Sequence, residues 1–192
     1  MGAAAWGNQN RYGEFEIVGA REKKPRLMGE GSFGKTYEAV REDVVAGSVI
    51  KDFVALKVLN PALLVSESKK LQFVQEMVAL TRFKHPNLIH YIRCGEEKGE
   101  VFCAMELCRG GDLSRLVKRY GPLPERVAAL IGLQVAAGLR EMHQRHGLVH
   151  RDIKPSNIML ADELPATLAR QQLAARLEEQ DSICRIVDFG LV

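Results

Sequence analysis

The sequence predicts an α+β fold in two lobes, a sheet-rich part with one helix followed by a helical part. Strand-like alternation of apolar and polar residues dominates the first half of the chain and is interrupted once by a helical pattern. Helical periodicity dominates after the glycine pair Gly110-Gly111. The chain has 192 residues, of which 46% are hydrophobic, so it can bury a core. We therefore expect two lobes with a cleft between them.

The strands of the first part are predicted from period-two patterns between glycine turns. Val54, Leu56 and Val58 fall on one face of such a strand, and Ala55 and Lys57 fall on the other. Two further segments are predicted to be strands, namely Leu88–Ile92 and Val101–Leu107.

The helices are predicted from apolar residues at helical spacing and from capping residues. Ser66–Phe83 has such a stripe and forms the helix of the sheet-rich part. In the second part, Asp112 is placed to cap a short helix. Pro124 suits the first turn of a longer helix that ends near His146, before Gly147.

Residues 1–24 are predicted to be a loose N-terminal leader, and residues 25–192 a single domain with lobes at about 25–107 and 112–192. Residues 162–180 have the composition of an inserted amphipathic helix. This insert is either a docking surface or a surface excursion, and we favour the excursion because long loop insertions cost little.

Composition excludes several classes of function. The net charge is only +3, with basic and acidic residues interspersed, so nucleic acid is not an expected partner. The sequence contains no run of 18 apolar residues, so it predicts no membrane-spanning segment. The four cysteines lack metal-site spacing and are expected to be reduced thiols, which favours a cytoplasmic location, although a longer parent protein could be membrane-anchored.

A glycine-rich run, Gly29-Glu30-Gly31-Ser32-Phe33-Gly34, lies between two predicted strands. By itself it fits a tight hairpin as well as a phosphate-binding loop. A dinucleotide-binding loop requires a helix at the third glycine, and the sequence instead continues in an extended pattern. The run therefore favours a strand–loop–strand that closes over phosphates through its backbone.

Two charged residues occupy positions otherwise suited to burial. Lys57 ends a Val-Ala-Leu-Lys strand, where it is either a snorkelling strand end or one half of an ion pair. Glu76 lies in the apolar stripe of the first helix, although it could be solvated. If they pair, Glu76 holds the Lys57 ammonium in place for phosphate oxygens.

The strongest signal is the octapeptide His150-Arg151-Asp152-Ile153-Lys154-Pro155-Ser156-Asn157, followed later by Asp188-Phe189-Gly190. The first resembles the catalytic loop of protein kinases and the second their metal-binding motif. With the glycine run and Val-Ala-Leu-Lys, four elements stand in the family's order. The resemblance implies a Hanks-type serine/threonine kinase fold, with an antiparallel N-lobe sheet plus one helix and a partial helical C-lobe.

The resemblance also implies roles for individual residues. Asp152 and Lys154 would be catalytic, Asp152 orienting the substrate hydroxyl and Lys154 placing a cation near the transferred phosphate. Asn157 and Asp188 would bind Mg²⁺, which prefers oxygen ligands. ATP would be bound by the glycine loop, the Lys57–Glu76 pair and residues lining the adenine: Met28, Gly29, Glu30, Gly31, Ser32, Phe33, Gly34, Lys35, Thr36, Ala55, Lys57, Glu76, Met105, Glu106, Cys108 and Met159.

The sequence departs from the family pattern at three places. Thr36 replaces the usual valine, a change of similar shape, and thirty residues separate Asn157 from Asp188. The chain ends just after the metal-binding motif, so we expect a fragment of a longer enzyme that is inactive alone. Two alternatives stay open: an ATP-binding pseudokinase or interaction module, and a small-molecule kinase of similar fold.

Overall fold

The computed structural model describes residues 9–64, 66–165, 167–178 and 182–188. The chain divides into two compact units. The sheet unit comprises Met1–Phe83 and His90–Leu107, and the helical unit comprises Lys84–Ile89 and Cys108–Val192. In the described part of the chain, no helix is both long and apolar enough to cross a membrane.

Within the described residues, the sheet unit contains one antiparallel sheet of seven strands and one α-helix. The strand order is β1-β2-β4-β5-β7-β6, and β3 also pairs with β4. The strands are β1 (Arg11–Tyr12), β2 (Phe15–Ile17), β3 (Leu27–Gly31), β4 (Gly34–Val45), β5 (Ser48–Leu59), β6 (Tyr91–Glu97) and β7 (Glu100–Glu106), and the helix is α1 (Glu67–Leu80). This confirms the predicted antiparallel sheet with a single helix.

The predicted alternation in β5 is confirmed. Val54, Leu56 and Val58 are buried together in one hydrophobic cluster. Ala55 and Lys57, which point to the opposite face, are buried as well. A strand that is buried on both faces lies at the centre of the sheet, which is where β5 is found, between β4 and β7.

Residues 11–17 lie in a hairpin of the sheet and not in the loose leader that the sequence predicts for residues 1–24; residues 1–8 lie outside the described residues. Tyr12 and Phe15 are fully buried in the same cluster as Val54, because the β1–β2 hairpin pairs with β4. The Tyr12 hydroxyl donates to the Glu100 carboxylate at 2.7 Å. The low apolar content misled the prediction, because a few large side chains suffice to bind a short hairpin to an existing sheet.

One strand prediction also fails in part. Leu88–Ile92 is not one strand: Leu88 belongs to the helical unit, where it bridges Ile186, and β6 begins only at Tyr91.

Among its described residues, the helical unit contains three α-helices and a two-stranded ribbon. Its elements are α2 (Leu113–Tyr120), α3 (Glu125–His146), β8 (Ile158–Leu160), α4 (Arg170–Glu178) and β9 (Cys184–Ile186), and β8 pairs with β9 in antiparallel fashion. Asp112 caps α2, accepting from the Arg115 amide at 2.9 Å, as predicted. Gly147 ends α3 in the left-handed conformation that glycine tolerates.

The insert is not a surface excursion. Leu173 and Leu177 of α4 are buried, and they join a hydrophobic cluster with Leu116 of α2 and Ile131 of α3. The prediction was wrong because the apolar face of a short helix can be judged only against the elements available to cover it. Residues 166, 179 and 180 of the insert lie outside the described residues.

Candidate active site

The loop that contains Asp152 is held by its own side chains. The Lys154 ammonium Nζ lies 2.7 Å from Asp152 Oδ2. The Asn157 amide Nδ2 donates to both Asp152 Oδ2 at 3.0 Å and the Asp152 carbonyl at 2.8 Å. Three residues that the sequence predicts to share a site are therefore in direct contact.

His150 connects this loop to the segment that precedes Asp188. The ring is buried, its Nδ1 accepts from the Asp152 amide at 3.2 Å, and its Nε2 lies 2.9 Å from the Val187 carbonyl. Because Nδ1 accepts a hydrogen bond, Nε2 carries the ring hydrogen and donates a hydrogen bond to the Val187 carbonyl. The Val187 amide in turn donates to the Asn157 carbonyl at 3.0 Å. Asn157 and Asp188 are thus brought to the same edge of the helical unit.

The electrostatics of the loop favour the ionised form of Asp152. The hydrogen bond from Lys154 lowers the pKa of the Asp152 carboxyl below its usual value, and the hydrogen bond from Asn157 and the charge of Lys154 act in the same direction. Asp152 is therefore an anionic acceptor at neutral pH. An anionic carboxylate can orient a hydroxyl and accept its proton.

Backbone strain marks both sides of this site. Arg151 and Asp188 have φ values of 64° and 62°, a left-handed region that residues other than glycine rarely occupy. Such conformations cost on the order of 1 kcal/mol or more and cluster at functional sites. The sequence gives no direct sign of this strain.

The donors at this edge fit a magnesium ion that is bound mainly through phosphates. The amide nitrogen of Asn157 is committed to Asp152, which leaves its side-chain oxygen without a donor among the described residues. Asp188 supplies a carboxylate. Mg²⁺ is usually held by one or two such oxygens together with phosphate and water, not by a protein cage. The described residues contain no cluster of three or more His, Cys, Asp or Glu that could hold a metal ion. Phe189 and Gly190 of the motif lie outside the described residues.

In the sheet unit, the glycine run forms the turn of the β3–β4 hairpin, as predicted. Gly31 pairs with Gly34 across the turn. A Cβ atom on Gly29 or Gly31 would meet no atom within 4 Å, whereas one on Gly34 would lie 2.2 Å from the Val58 carbonyl. The first two glycines therefore leave open space beside the backbone, and the third is required by packing.

Lys57 is buried in β5, paired in register with Thr36 of β4 and Cys103 of β7. Its ammonium lies 5.7 Å from the centre of the Phe33 ring. The expected ion pair with Glu76 is not formed: Glu76 is exposed on α1 and accepts from Gln72 at 2.9 Å within the described part of the chain. Sequence spacing placed both residues in the same unit but did not determine the rotation of α1.

The residues predicted to line the adenine are divided between the sheet unit and the helical unit. Met105 is buried in β7 and pairs with Ala55. Glu106 ends β7, where its amide donates to the His90 carbonyl and its carboxylate accepts from the His90 amide. Cys108 is buried in the helical unit.

Met159, the remaining residue predicted to contact the adenine, lies in β8 of the helical unit, is partly buried and bridges Asp112.

Sequence reasoning missed a buried polar network that supports β9. Asn87 Nδ2 lies within hydrogen-bond distance of Gln134 Oε1, Ser182 Oγ and the Cys184 carbonyl, at 3.0–3.1 Å. Gln134 also accepts from the amides of Ile183 and Cys184. The available signal was Gln134 itself, a polar residue between the apolar positions Ile131 and Val135 of α3.

Comparisons with known proteins agree with this arrangement. The family model described as protein kinase domain matches residues 23–192. The chain is 34% identical over 167 residues to serine/threonine-protein kinase ATG1b of Arabidopsis thaliana. The aligned region covers 86% of this chain and 20% of that protein. The chain is also 34% identical to serine/threonine-protein kinase pkn3 of Myxococcus xanthus, covering 86% of this chain and 26% of that protein. The chain thus spans about a fifth to a quarter of these curated relatives.

Solved structures give the same result. A crystal structure of a mutant of the Mycobacterium tuberculosis PknI kinase domain matches with a TM-score of 0.67 and 25% identity, covering 98% of this chain and 64% of that one. Rad53 in complex with AMP-PNP, at 23% identity and a TM-score of 0.67, has the same fold over 93% of this chain and 39% of that one. The chain belongs to the protein kinase domain family.

Proposed function

We propose that the protein transfers the γ-phosphate of ATP to serine or threonine hydroxyls of protein substrates, with the help of Mg²⁺. The observation that carries the proposal is the Asp152 carboxylate, which is kept anionic and is oriented by Lys154 and Asn157. Phosphoryl transfer requires alignment and charge neutralisation more than covalent chemistry. An oriented carboxylate beside a fixed ammonium provides both.

Asp152 orients the substrate hydroxyl and accepts its proton as the phosphate is transferred. Lys154, half exposed at 2.7 Å from that carboxylate, can turn its ammonium toward the negative charge of the transferred group. Because Asn157 also holds Asp152 Oδ2, the carboxylate keeps its orientation when Lys154 moves.

Asn157 and Asp188 would hold Mg²⁺, which when bound neutralises charge on the phosphate oxygens. In the sheet unit, the open backbone of Gly29 and Gly31 would approach the phosphates, and Lys57 would bind the α- and β-phosphate oxygens. Adenine would be held by main-chain groups of Glu106 and Cys108, with Ala55 and Met159 contacting its ring. We propose a cytoplasmic location, because all four cysteines are free thiols.

The exposed position of Glu76 supports a second candidate, an ATP-binding pseudokinase or interaction module. With Glu76 bonded to Gln72, the Lys57–Glu76 ion pair that the resemblance implies is not formed. The two candidates make different predictions: the kinase requires α1 to rotate when ATP binds, whereas the pseudokinase binds ATP and forms no product.

The test is incubation of the full-length protein with ATP, Mg²⁺ and a serine/threonine peptide library, with phosphopeptides read by mass spectrometry. Asp152→Asn should lower the rate by about 10²–10⁴-fold, since a positioned proton acceptor contributes about that much. Asp162→Asn, an exposed aspartate of the same unit, is the matched control and should retain the rate.

Three outcomes would oppose the proposal. Phosphopeptides made equally well by Asp152→Asn would remove the assigned role of Asp152. Stabilisation by ATP without any product would favour the pseudokinase. Phosphorylation of metabolites but not of peptides would indicate a small-molecule kinase.

A further inference from the structure

Two cysteines face each other across neighbouring strands of the sheet unit. Cys94 of β6 is the register partner of Cys103 of β7. The two strands are joined by a two-residue turn, Lys98-Gly99, in which both φ values are positive, at 48° and 86°. In such a hairpin the residues that flank the turn form a hydrogen-bonded pair, and the pair types alternate along the strands. Cys94–Cys103 is the third pair beyond Glu97–Glu100, so it is a non-hydrogen-bonded pair.

The type of pair matters for sulfur chemistry. Non-hydrogen-bonded partners have Cα atoms about 4.5 Å apart and side chains that approach more closely than in the other type. Disulfides form between Cα atoms about 4.4–6.8 Å apart. Cys94 and Cys103 therefore meet the distance requirement without a change in strand register. Both lie on the same face, so their Cβ atoms point in the same direction.

The resting state of this pair is reduced. Cys94 and Cys103 are free thiols, with 7% and 2% of their surfaces exposed. Burial, and next the neighbouring Cys94 thiol, raise the pKa of Cys103 well above its usual value, so its sulfur keeps its proton at neutral pH. β6 is the last strand of the sheet order, and opening of an edge strand is the least costly way to expose these sulfurs.

The same row of the sheet contains Lys57. Cys103 pairs in register with Lys57 of β5 on one side and with Cys94 on the other. A covalent bond in this row would fix the edge strand β6 to β7, directly beside the strand that carries Lys57.

We propose that Cys94 and Cys103 form a redox-responsive dithiol that closes to a disulfide on exposure to a peroxide. One S–S bond and two O–H bonds form, while two S–H bonds and the O–O bond of hydrogen peroxide break. The two sulfurs lose two electrons and two protons, and the peroxide is reduced to two waters. A dithiol reductant reverses the reaction by thiol–disulfide exchange. This inference does not depend on the proposed kinase activity.

The experiment treats the 192-residue chain with hydrogen peroxide and measures its mass without reduction. We expect a loss of two hydrogen atoms, a cross-linked peptide pair containing Cys94 and Cys103, and recovery of the original mass with dithiothreitol. Cys94→Ser should lose the cross-link. Cys184→Ser removes a buried thiol of the helical unit and should retain the cross-link.

The wild-type peptide map is informative even if Cys94→Ser fails to fold. Sulfinic or sulfonic acids at Cys94 and Cys103 without a cross-link would overturn the proposal. A cross-link that joins two molecules and grows with protein concentration would overturn it as well, as would retention of the intramolecular cross-link in Cys94→Ser.

Discussion

The loop around Asp152 in the helical unit and the glycine loop in the sheet unit keep their functional groups in place by different means. Asp152 is bound by Lys154, Asn157 and the His150 ring within a few residues of sequence. Gly29 and Gly31 have open space around them instead. One loop is organised before any ligand binds, and the other has space that a ligand can fill.

This difference shows which parts of the site must become ordered when the substrate binds. Groups that are already hydrogen-bonded cost no ordering entropy when substrate arrives, whereas an open loop and an exposed Glu76 must be ordered at that moment. In the helical unit, the packing of α4 and the hydrogen bonds of Asn87 and Gln134 also support the segment that leads to Asp188. The following experiments test this contrast.

Shortening of a buried side chain of α4 should have the largest effect on stability. Leu173 is fully buried against α2 and α3, so Leu173→Ala leaves a cavity and should lower the free energy of unfolding by about 2–5 kcal/mol. Chemical denaturation measures this. Leu133→Ala changes the same side chain at an exposed position of α3 and should shift stability by about 0.5 kcal/mol or less. Equal stability of the two variants would contradict a core role for the insert.

Replacement of Lys57 separates chemistry from packing in the sheet unit. Lys57→Met keeps a similar volume in a buried position, so thermal unfolding should change little. The peptide phosphorylation rate should fall by about 10²–10³-fold, the loss typical of one electrostatic contact to the transition state. An unchanged rate would show that Lys57 is only a structural residue.

Gly31→Ala tests the open side of the glycine loop. A methyl group meets no atom there, and the reduced freedom of the unfolded chain should raise stability by about 0.4–1 kcal/mol. ATP affinity should fall, because the methyl group occupies space that the phosphates require. Isothermal titration with ATP and Mg²⁺ measures this.

Gly34→Ala is the matched variant in the same loop. Its Cβ would lie 2.2 Å from the Val58 carbonyl, so it should destabilise the free protein. If Gly31→Ala destabilised the protein as much, the loop would be packed and not open.

Lys154→Ala should produce the smallest change, in the titration of Asp152. Lys154 lowers the pKa of the Asp152 carboxyl, so the ionised form favours the folded state above the ordinary pKa of an aspartate, and this contribution is lost as pH falls through the lowered value. Without the ammonium, the pKa should rise toward the ordinary value. Carbon-13 NMR of the Asp152 carboxyl measures the midpoint, and Lys118→Ala, at an exposed position of α2, should leave it unchanged.

Local pattern predicted the elements well where local forces decide them. The alternation in β5, the Asp112 cap and the glycine turn of β3–β4 all depend on neighbours in sequence, and the structure confirms each. The order of the four motifs was likewise sufficient for the family. The N-terminal hairpin and α4 were misjudged because burial of a short segment depends on surfaces formed by distant residues.

The sequence by itself determined the family and the residue types of the candidate site, because both follow from the identity and order of short motifs along the chain. Only the tertiary structure decided the exposure of Glu76, the burial of Leu173 and the pairing of Cys94 with Cys103. Helix rotation, core membership and strand register depend on the summed packing of many distant side chains, and no local pattern contains that sum.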